Sequence, residues 1–545
     1  MLRLKSRTTK RIWLFAASLS STYLLIACGP REQVVDKGVK TQELYMANGA
    51  EPQSLDPHIV VGVPEMRILR NLFEGLVQLD PVTLEPFPAA SERWEISEDG
   101  TKYTFFLRKN LKWSNGDPLT AKDFHYSFKR AISPKIASPY ITFLKGITNA
   151  IEYNKGEVSD FEKVGCKVVD DYTLEFHLDH PHPVLLIYMG GGQYFYPVHQ
   201  ATIEAHGEID QRGTAWIRPG NIVTNGPFQL SEWTTNTVLS LEPNPHYWDR
   251  QAVRLNKAHY YPIENLDTQY RSYLNGEVHI ARDIPLHVIQ ELEESRPEDY
   301  RSQLYLGTYY YGFNVRKAPL NDSRVTRALS MAINRELISS KVIKSGKPPA
   351  YSFVPPGANG YVPDYQLTES VEEAQRLLAE AGYPGGEGFP KLELLFNTRE
   401  DHRAMAEIVQ QMWKLNLGIE ISLVNMEWKV YLDTRDSGDF DIIRAGWVGG
   451  VDYQGYLDLY NSDSGNNDTG WSRPEFDKLF KEAAQIMDPA LRMKTIQRAE
   501  EILLKDMPIA PIYHYTTNYM VDTRVKNWHS NNIDERTLKH VYLEE

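Results

Sequence analysis

Three features of this 545-residue chain predict a mixed α/β fold. Stretches with strand-type alternation and stretches with helical spacing follow one another along most of the chain. No internal repeat, low-complexity tract or Gly/Ser linker appears after residue 42, so the lobes should be interleaved crossings of one chain. The composition, 42% hydrophobic and 24% charged, is that of a globular body, and the length suits about two to four domains or lobes.

The elements justify themselves in order. Residues 29–42 are polar and read as a flexible leader. Glu43 to Asn48 reads as a strand. Met66, Leu69, Leu72 and Phe73 share helical spacing, which predicts a helix from Val63 to about Leu76, ending near Gly75. Tyr103, Phe105 and Leu107 alternate with polar neighbours and read as a strand. Asn115-Gly116-Asp117-Pro118 is turn chemistry. Thr120, with Asp123 at the box position, caps a helix carrying Phe124 and Phe128. Residues 166–178 return to strand character, and Asn225-Gly226-Pro227 turns the chain before Phe228 and Leu230. Asp322 caps a helix with Val325, Leu329, Ala332 and Ile333 on one face. Ser370 and Glu373 form a capping box, and Gly382 stops that helix. Asp401 to Leu417 is amphipathic, Gly418 ends it, and Ile419 to Val424 follows as a strand. Phe440 to Arg444 is a short strand, and Leu491 to Leu504 is a late helix before Met507-Pro508.

The first residues are an address. Arg3, Lys5, Arg7, Lys10 and Arg11 precede an apolar run from Ile12 to Leu25, too short for a comfortable membrane helix. The ending Leu25-Ile26-Ala27-Cys28-Gly29 resembles the lipobox of bacterial lipoproteins, which implies a lipid on Cys28 and a body outside the cytoplasm. Gly29 lacks the acidic residue that commonly retains lipoproteins at the inner membrane. Cys28 and Cys166 are the only cysteines, so the mature chain has no internal disulfide, and Cys166 reads as a buried thiol. A formal charge of −13 argues against a nucleic-acid partner.

The stretch from Trp428 to Tyr453, WKVYLDTRDSGDFDIIRAGWVGGVDY, holds the richest chemistry. Its strand runs into Gly446-Trp447-Val448-Gly449-Gly450. Glycines admit close backbone approach, Trp447 is a flat apolar plate, Arg435 and Arg444 are cations, and Asp452 is an anion. Such a set suits an extended zwitterion; a buried Trp beside a tight turn is the competing reading of the same residues.

The run SEDGTKYTFFLRKNLKWSNGDPLTAKDFHYSFKRA at 97–131 closely resembles the signature of peptide-type solute-binding proteins of ABC importers. SLDPHIVVGVPE at 54–65, NIVTNGPFQLSEW at 221–233, LEPNPHYWD at 241–249, YYYGFNVRKAPLNDSRVTRAL at 309–329 and LLFNTREDHRAMAEIVQQMWKLNLGI at 394–419 agree with it, as does the Trp428–Tyr453 stretch. The resemblance is closest to the oligopeptide-binding subfamily and covers nearly the whole mature chain. It implies a periplasmic-binding-protein-like α/β fold, two main lobes plus an additional one around an enclosed cleft. The implied boundaries are a signal peptide at 1–28, lobe I from 29–73, 198–306 and 517–545, lobe II from 74–197, and lobe III from 307–516.

By that resemblance the function is capture of oligopeptides by strand-like backbone pairing in a closing cleft, and delivery to permease subunits of an ABC importer. Val63, Gly446 and Val448 match backbone-pairing positions. Arg435, Arg444 and His402 match residues that neutralise ligand carboxylates, and Trp447, Tyr140 and Tyr515 match pocket aromatics. The usual amine-anchoring Asp, three residues after the Trp, is Gly450 here; Asp452 lies two further on and is a candidate to replace it. A cysteine pair frequent in relatives is replaced by Gly307 and Val448. The resemblance implies no catalysis, no cofactor, a monomer, and contact with the membrane only through the lipid. A murein-derived peptide, or a non-peptide solute such as a nickel chelate, is the alternative ligand. His177, Asp179, His180 and His182 lie close in sequence, but Pro181 and Pro183 suggest a solvated loop, and no metal is expected. A secreted peptidase is the competing class; the chain has no His-Glu-x-x-His, Gly-x-Ser-x-Gly or phosphate loop.

Overall fold

A computed structural model describes residues 32–60, 62–343, 347–426, 428–462 and 464–545. Cys28 lies outside them. Within the described residues the first element is an α-helix, α1 (Val34–Thr41), which takes up most of the stretch expected to be a flexible leader. The leader is ordered because its apolar face has somewhere to go. Val35, Gly38 and Val39 are buried, Val35 N–H donates to the Gly276 carbonyl, and Arg524 binds Asp36 at 2.8 Å.

Strand β1 (Glu43–Ala47) enters the core, and helix α2 (Val63–Leu72) follows with Pro64 in its first turn. The helix ends sooner than its periodicity predicts. Asn225 explains this: its Oδ1 accepts from Glu74 N–H at 3.0 Å and its Nδ2 donates to Glu74 O at 2.7 Å. Gly226 N–H takes the Leu72 carbonyl. A distant turn thus pulls Phe73 into extended backbone against local helical preference.

Strands β2 (Ser91–Ile96) and β3 (Lys102–Leu107), helix α3 (Ala121–Ala131), and strands β4 (Cys166–Asp170) and β5 (Thr173–His177) build a second body. Its sheet order is β2-β3-β5-β4. Thr120 caps α3 with Asp123 at the box position, as expected, Asp123 accepting from Thr120 N–H at 2.8 Å. Cys166 is buried on this sheet. Tyr103, Phe105, Leu107, Phe128 and Phe176 share its core.

Strands β6 (Phe228–Thr234), β7 (Val238–Pro243), β8 (Lys257–Tyr261) and β9 (Ile280–Ala281) return to the first body. The long β10 (Tyr300–Phe313) then crosses into a third. There α4 (Ser323–Met331), α5 (Val371–Glu380), β11 (Leu392–Asn397), α6 (Glu400–Leu417), β12 (Ile421–Met426), β13 (Ile442–Trp447) and α7 (Pro489–Asp506) follow, before β14 (Ile509–Val521) crosses back. Asp322 and Ser370 cap α4 and α5, and Gly418 ends α6 in left-handed geometry at φ 70°. One ten-stranded sheet, ordered β12-β11-β13-β10-β14-β9-β1-β8-β7-β6, joins the first and third bodies. Strands β10 and β14 pair along nearly their whole length and form the bridge.

Candidate functional site

The open edge of β13 organises the site. Antiparallel to β10, it pairs from Ile442–Phe313 to Trp447–Thr308. On its other side β11 reaches only Ile442 and Ile443. From Arg444 to Trp447 no described strand occupies that edge. Unpaired main chain at such an edge is a template for an extended partner.

Arg444 stands on this edge. Its guanidinium lies 4.6 Å over the Tyr309 ring, donates to Tyr515 Oη at 3.1 Å, and approaches Asn397 Oδ1 at 3.4 Å. Among the described residues no carboxylate lies within ion-pair distance of it, and its Nε–H has no partner. A half-buried cation held by tyrosines, with no carboxylate in reach among the described residues, suits an anion. Lys347 adds to the positive field, its Nζ 4.9 Å over Tyr513, which stacks on Tyr309 at 4.7 Å. Burial, with Arg399 and Arg444 nearby, brings the Lys347 pKa down to about 8. Sequence reasoning missed Lys347; no motif marks it.

Tyr515 reaches β13 across β10 through a lane made by two glycines. A Cβ on Gly446 would fall 2.0 Å from Tyr515 Oη, and one on Gly307 would fall 2.5 Å from its ring. Gly307 and Val448 also touch, a Cβ on Gly307 lying 3.0 Å from Val448 Cγ2. The two positions for which the resemblance implies a cysteine pair in relatives are thus neighbours. Trp447 is partly buried, and its indole N–H donates to the Gly455 carbonyl at 2.9 Å. The Val448 side chain is exposed.

The other expected residues differ. His402 is buried, and burial together with Arg444 brings its pKa down to about 3. It is therefore neutral. Arg435 is spent on Asp436 at 2.8 Å and Asp468 at 3.6 Å. Val63 is an exposed first residue of α2, not a strand residue, and first-turn N–H groups lack helical partners. Tyr140 belongs to the second body, stacked on Tyr194 at 5.1 Å, with Phe143, Tyr188 and His182 continuing the aromatic wall.

Asp452 is placed otherwise than its candidacy as amine anchor requires. It is fully buried, accepts two bonds from Arg492 at 2.7 and 2.8 Å, and also accepts from Asn359 at 3.1 Å and Gln454 N–H at 2.9 Å. Four donors saturate it. Its burial follows from the turn after Gly450, which folds Asp452 toward α7. Among the described residues no group of three His, Cys, Asp or Glu side chains converges as a metal site.

A family model for bacterial extracellular solute-binding proteins, family 5, matches residues 85–468. The chain belongs to this family. It is 38% identical over 99% of both chains to the periplasmic oligopeptide-binding protein OppA of Salmonella typhimurium. The structure of the Escherichia coli murein tripeptide-binding protein MppA superposes with TM-score 0.81 at 37% identity, covering 92% of this chain and 98% of that one. The probable deoxycholate-binding periplasmic protein YgiS of Escherichia coli is 36% identical, over 86% of this chain and 87% of its own. The multi-lobe α/β fold expected from sequence is that of these family 5 proteins. As a family 5 member the chain is an extracytoplasmic solute-binding protein.

Proposed function

We propose that this solute-binding protein captures oligopeptides and passes them, chemically unchanged, to the permease subunits of an ABC importer. The reading rests on the open β13 edge from Arg444 to Trp447. Main-chain bonds along Gly446 and Val448 would hold a peptide whatever its side chains. Arg444, assisted by Lys347 and by the neutral His402, would take the terminal carboxylate. Trp447, Tyr140 and Tyr515 would line side-chain pockets, Val63 N–H would bind from the far wall, and Arg435 would lend longer-range charge. The names of OppA and MppA favour a peptide, and MppA keeps a murein-derived peptide as the second reading. Neither reading involves catalysis.

The three bodies act as lobes with the boundaries given above, and closing them on the ligand excludes water and strengthens each ionic contact. Cys28 carries a lipid that holds a monomer at the membrane. Mass spectrometry of ligand extracted from purified protein tests the main reading. Short peptides are expected; a bile-acid-type carboxylate in their place would overturn it. The mature mass of membrane-extracted protein tests the anchor, with diacylglyceryl on Cys28 expected.

A further inference from the structure

We infer that the third body carries a second ligand site, separate from the β13 edge, that takes a small neutral ring bearing one N–H or O–H hydrogen-bond donor. The site is a cavity of about 270 Å³, lined in part by His514 of β14. Side chains alternate along a strand, so His514 points away from the face on which Tyr513 and Tyr515 meet Arg444. The cavity keeps this role whichever solute the cleft takes.

The walls suit an apolar ring. Leu304 comes from β10, at the point where the register with β14 shifts between Leu304 and Thr308. Pro348 and Pro349 come from a segment paired with β14, His514 N–H donating to Pro348 O at 2.9 Å and Ala350 N–H to Ile512 O at 3.0 Å. Pro356, Pro363 and Tyr351 continue the wall, and Gln366 stands exposed at the mouth. Among the described residues no charged side chain lines the cavity. It therefore disfavours a zwitterion, whose charges would lose water without gaining partners. A cavity of roughly 150 Å³ already holds benzene, so this one has room for a ring with a short polar arm.

The polar atoms inside fix the sense of the hydrogen bond. Thr308 has one hydroxyl hydrogen, which goes to the Phe353 carbonyl at 2.7 Å, a group that can only accept. Thr308 Oγ1 therefore accepts from His514 Nδ1–H at 2.9 Å. Burial brings the His514 pKa down to about 3, so the ring is neutral. A neutral imidazole with its hydrogen on Nδ1 carries a bare lone pair on Nε2. That nitrogen has no partner among the described residues, although His514 is only 2% exposed. Ser352, also buried, spends its hydroxyl hydrogen on the Val354 carbonyl at 2.8 Å. The prolines have no N–H to give. The two buried polar side chains of the lining thus offer lone pairs and no hydrogen. A phenol or an indole matches this set: its flat ring packs on the prolines and Tyr351, and its one donor reaches His514 Nε2. A ring without a donor would desolvate that acceptor and leave it unpaired.

The test follows fluorine NMR line broadening of para-fluorophenol and fluoroindole on the full-length protein, beside their O- and N-methylated counterparts, which lack the donor. N-acetyl-fluorotyrosinamide presents the same phenol on a neutral main chain and so separates a free solute from a polypeptide side chain. Wild type is expected to bind a donor ring at least tenfold tighter than its methylated counterpart. His514→Asn keeps an amide donor for Thr308 but has no atom at the Nε2 position, and should lose that preference. Gln366→Trp, at the exposed mouth, should weaken every ring, and it carries the test if His514→Asn fails to fold. Binding of the tyrosinamide alone assigns the site to a partner's side chain, and binding of the free rings assigns it to a solute. Binding of neither overturns the inference. So does a donor preference that survives in His514→Asn, or binding that neither variant alters, because the rings would then be held elsewhere.

Discussion

Arg492 clasps Asp452 through two parallel hydrogen bonds, Nη1 to Oδ2 at 2.8 Å and Nη2 to Oδ1 at 2.7 Å, with both side chains almost wholly out of solvent. The pair ties the loop after β13 to helix α7. Losing one partner strands the other charge in a low dielectric. Asp452→Ala should therefore destabilise the protein by about 3–5 kcal/mol, read as a lower urea midpoint at unchanged m-value. Adding Arg492→Met should recover much of the loss, because no bare cation then remains.

Among the described residues Arg444 has no such carboxylate partner, so its variant should act on binding more than on folding. Arg444→Gln should weaken peptides with a free carboxylate by about 1.5–3 kcal/mol, the worth of a charge-assisted bond, and leave C-terminally amidated peptides little changed. Titration calorimetry with both forms checks this; equal losses would remove Arg444 from the carboxylate subsite.

Most of the site's strand could be read from the sequence, and most of its ionic wiring could not. Apolar Ile442 and Ile443 announce a strand expected to end at Arg444; β13 instead starts at Ile442 and runs on through Gly446 to Trp447, its far edge open from Arg444. Caps at Thr120, Asp322 and Ser370 were legible because their donors lie within three residues. The premature end of α2 was not, since Asn225 acts from across the fold. For the same reason Asp452 looked like a free anion: its guanidinium partner lies forty residues further on. Lys347 owes its interest to burial and to the charged groups around it, which no local pattern encodes.

Gly446 is small for a reason that a single methyl can expose. A Cβ there meets Tyr515 Oη at 2.0 Å, so Gly446→Ala must swing the phenol away and break its bond to Arg444. Affinity for free-carboxylate peptides should fall by up to about 1.5–3 kcal/mol, the range for a hydrogen bond to a charged group. Calorimetry on the variant tests this, and an unchanged affinity would show that Tyr515 does not position the arginine.

Lys347 gives the carboxylate end a pH dependence. Its native pKa is about 8, so it is mostly charged at pH 7 and loses its proton as pH rises past 8. A ligand carboxylate favours the charged form, so affinity should fall by up to about tenfold per pH unit above 8. Lys347→Met should flatten that profile. The stability linkage has the opposite sense: the depressed pKa costs native stability below 8, and the cost is relieved between about 8 and the unfolded value near 10.4.

Glu500 offers a test of the third body that involves no ligand. It is buried on α7, accepts from Phe353 N–H at 2.9 Å, Val354 N–H at 2.7 Å and Tyr361 Oη at 2.5 Å, and among the described residues no cation stands beside it. Burial outweighs these donors and lifts its pKa from 4.5 to about 7. For an acid raised in the native state, the ionised form is the one penalised. Its contribution is fully favourable below the unfolded value, declines as pH climbs from about 4.5 to about 7, and is flat beyond; the full swing is about 3 kcal/mol. Glu500→Gln keeps an acceptor for the two backbone donors and cannot ionise. Measured against this variant by urea denaturation, wild type should lose about 3 kcal/mol of relative stability between pH 4 and pH 7.5. A wild-type minus variant difference that stays constant across that interval would mean that Glu500 ionises in the native protein as readily as it does in water.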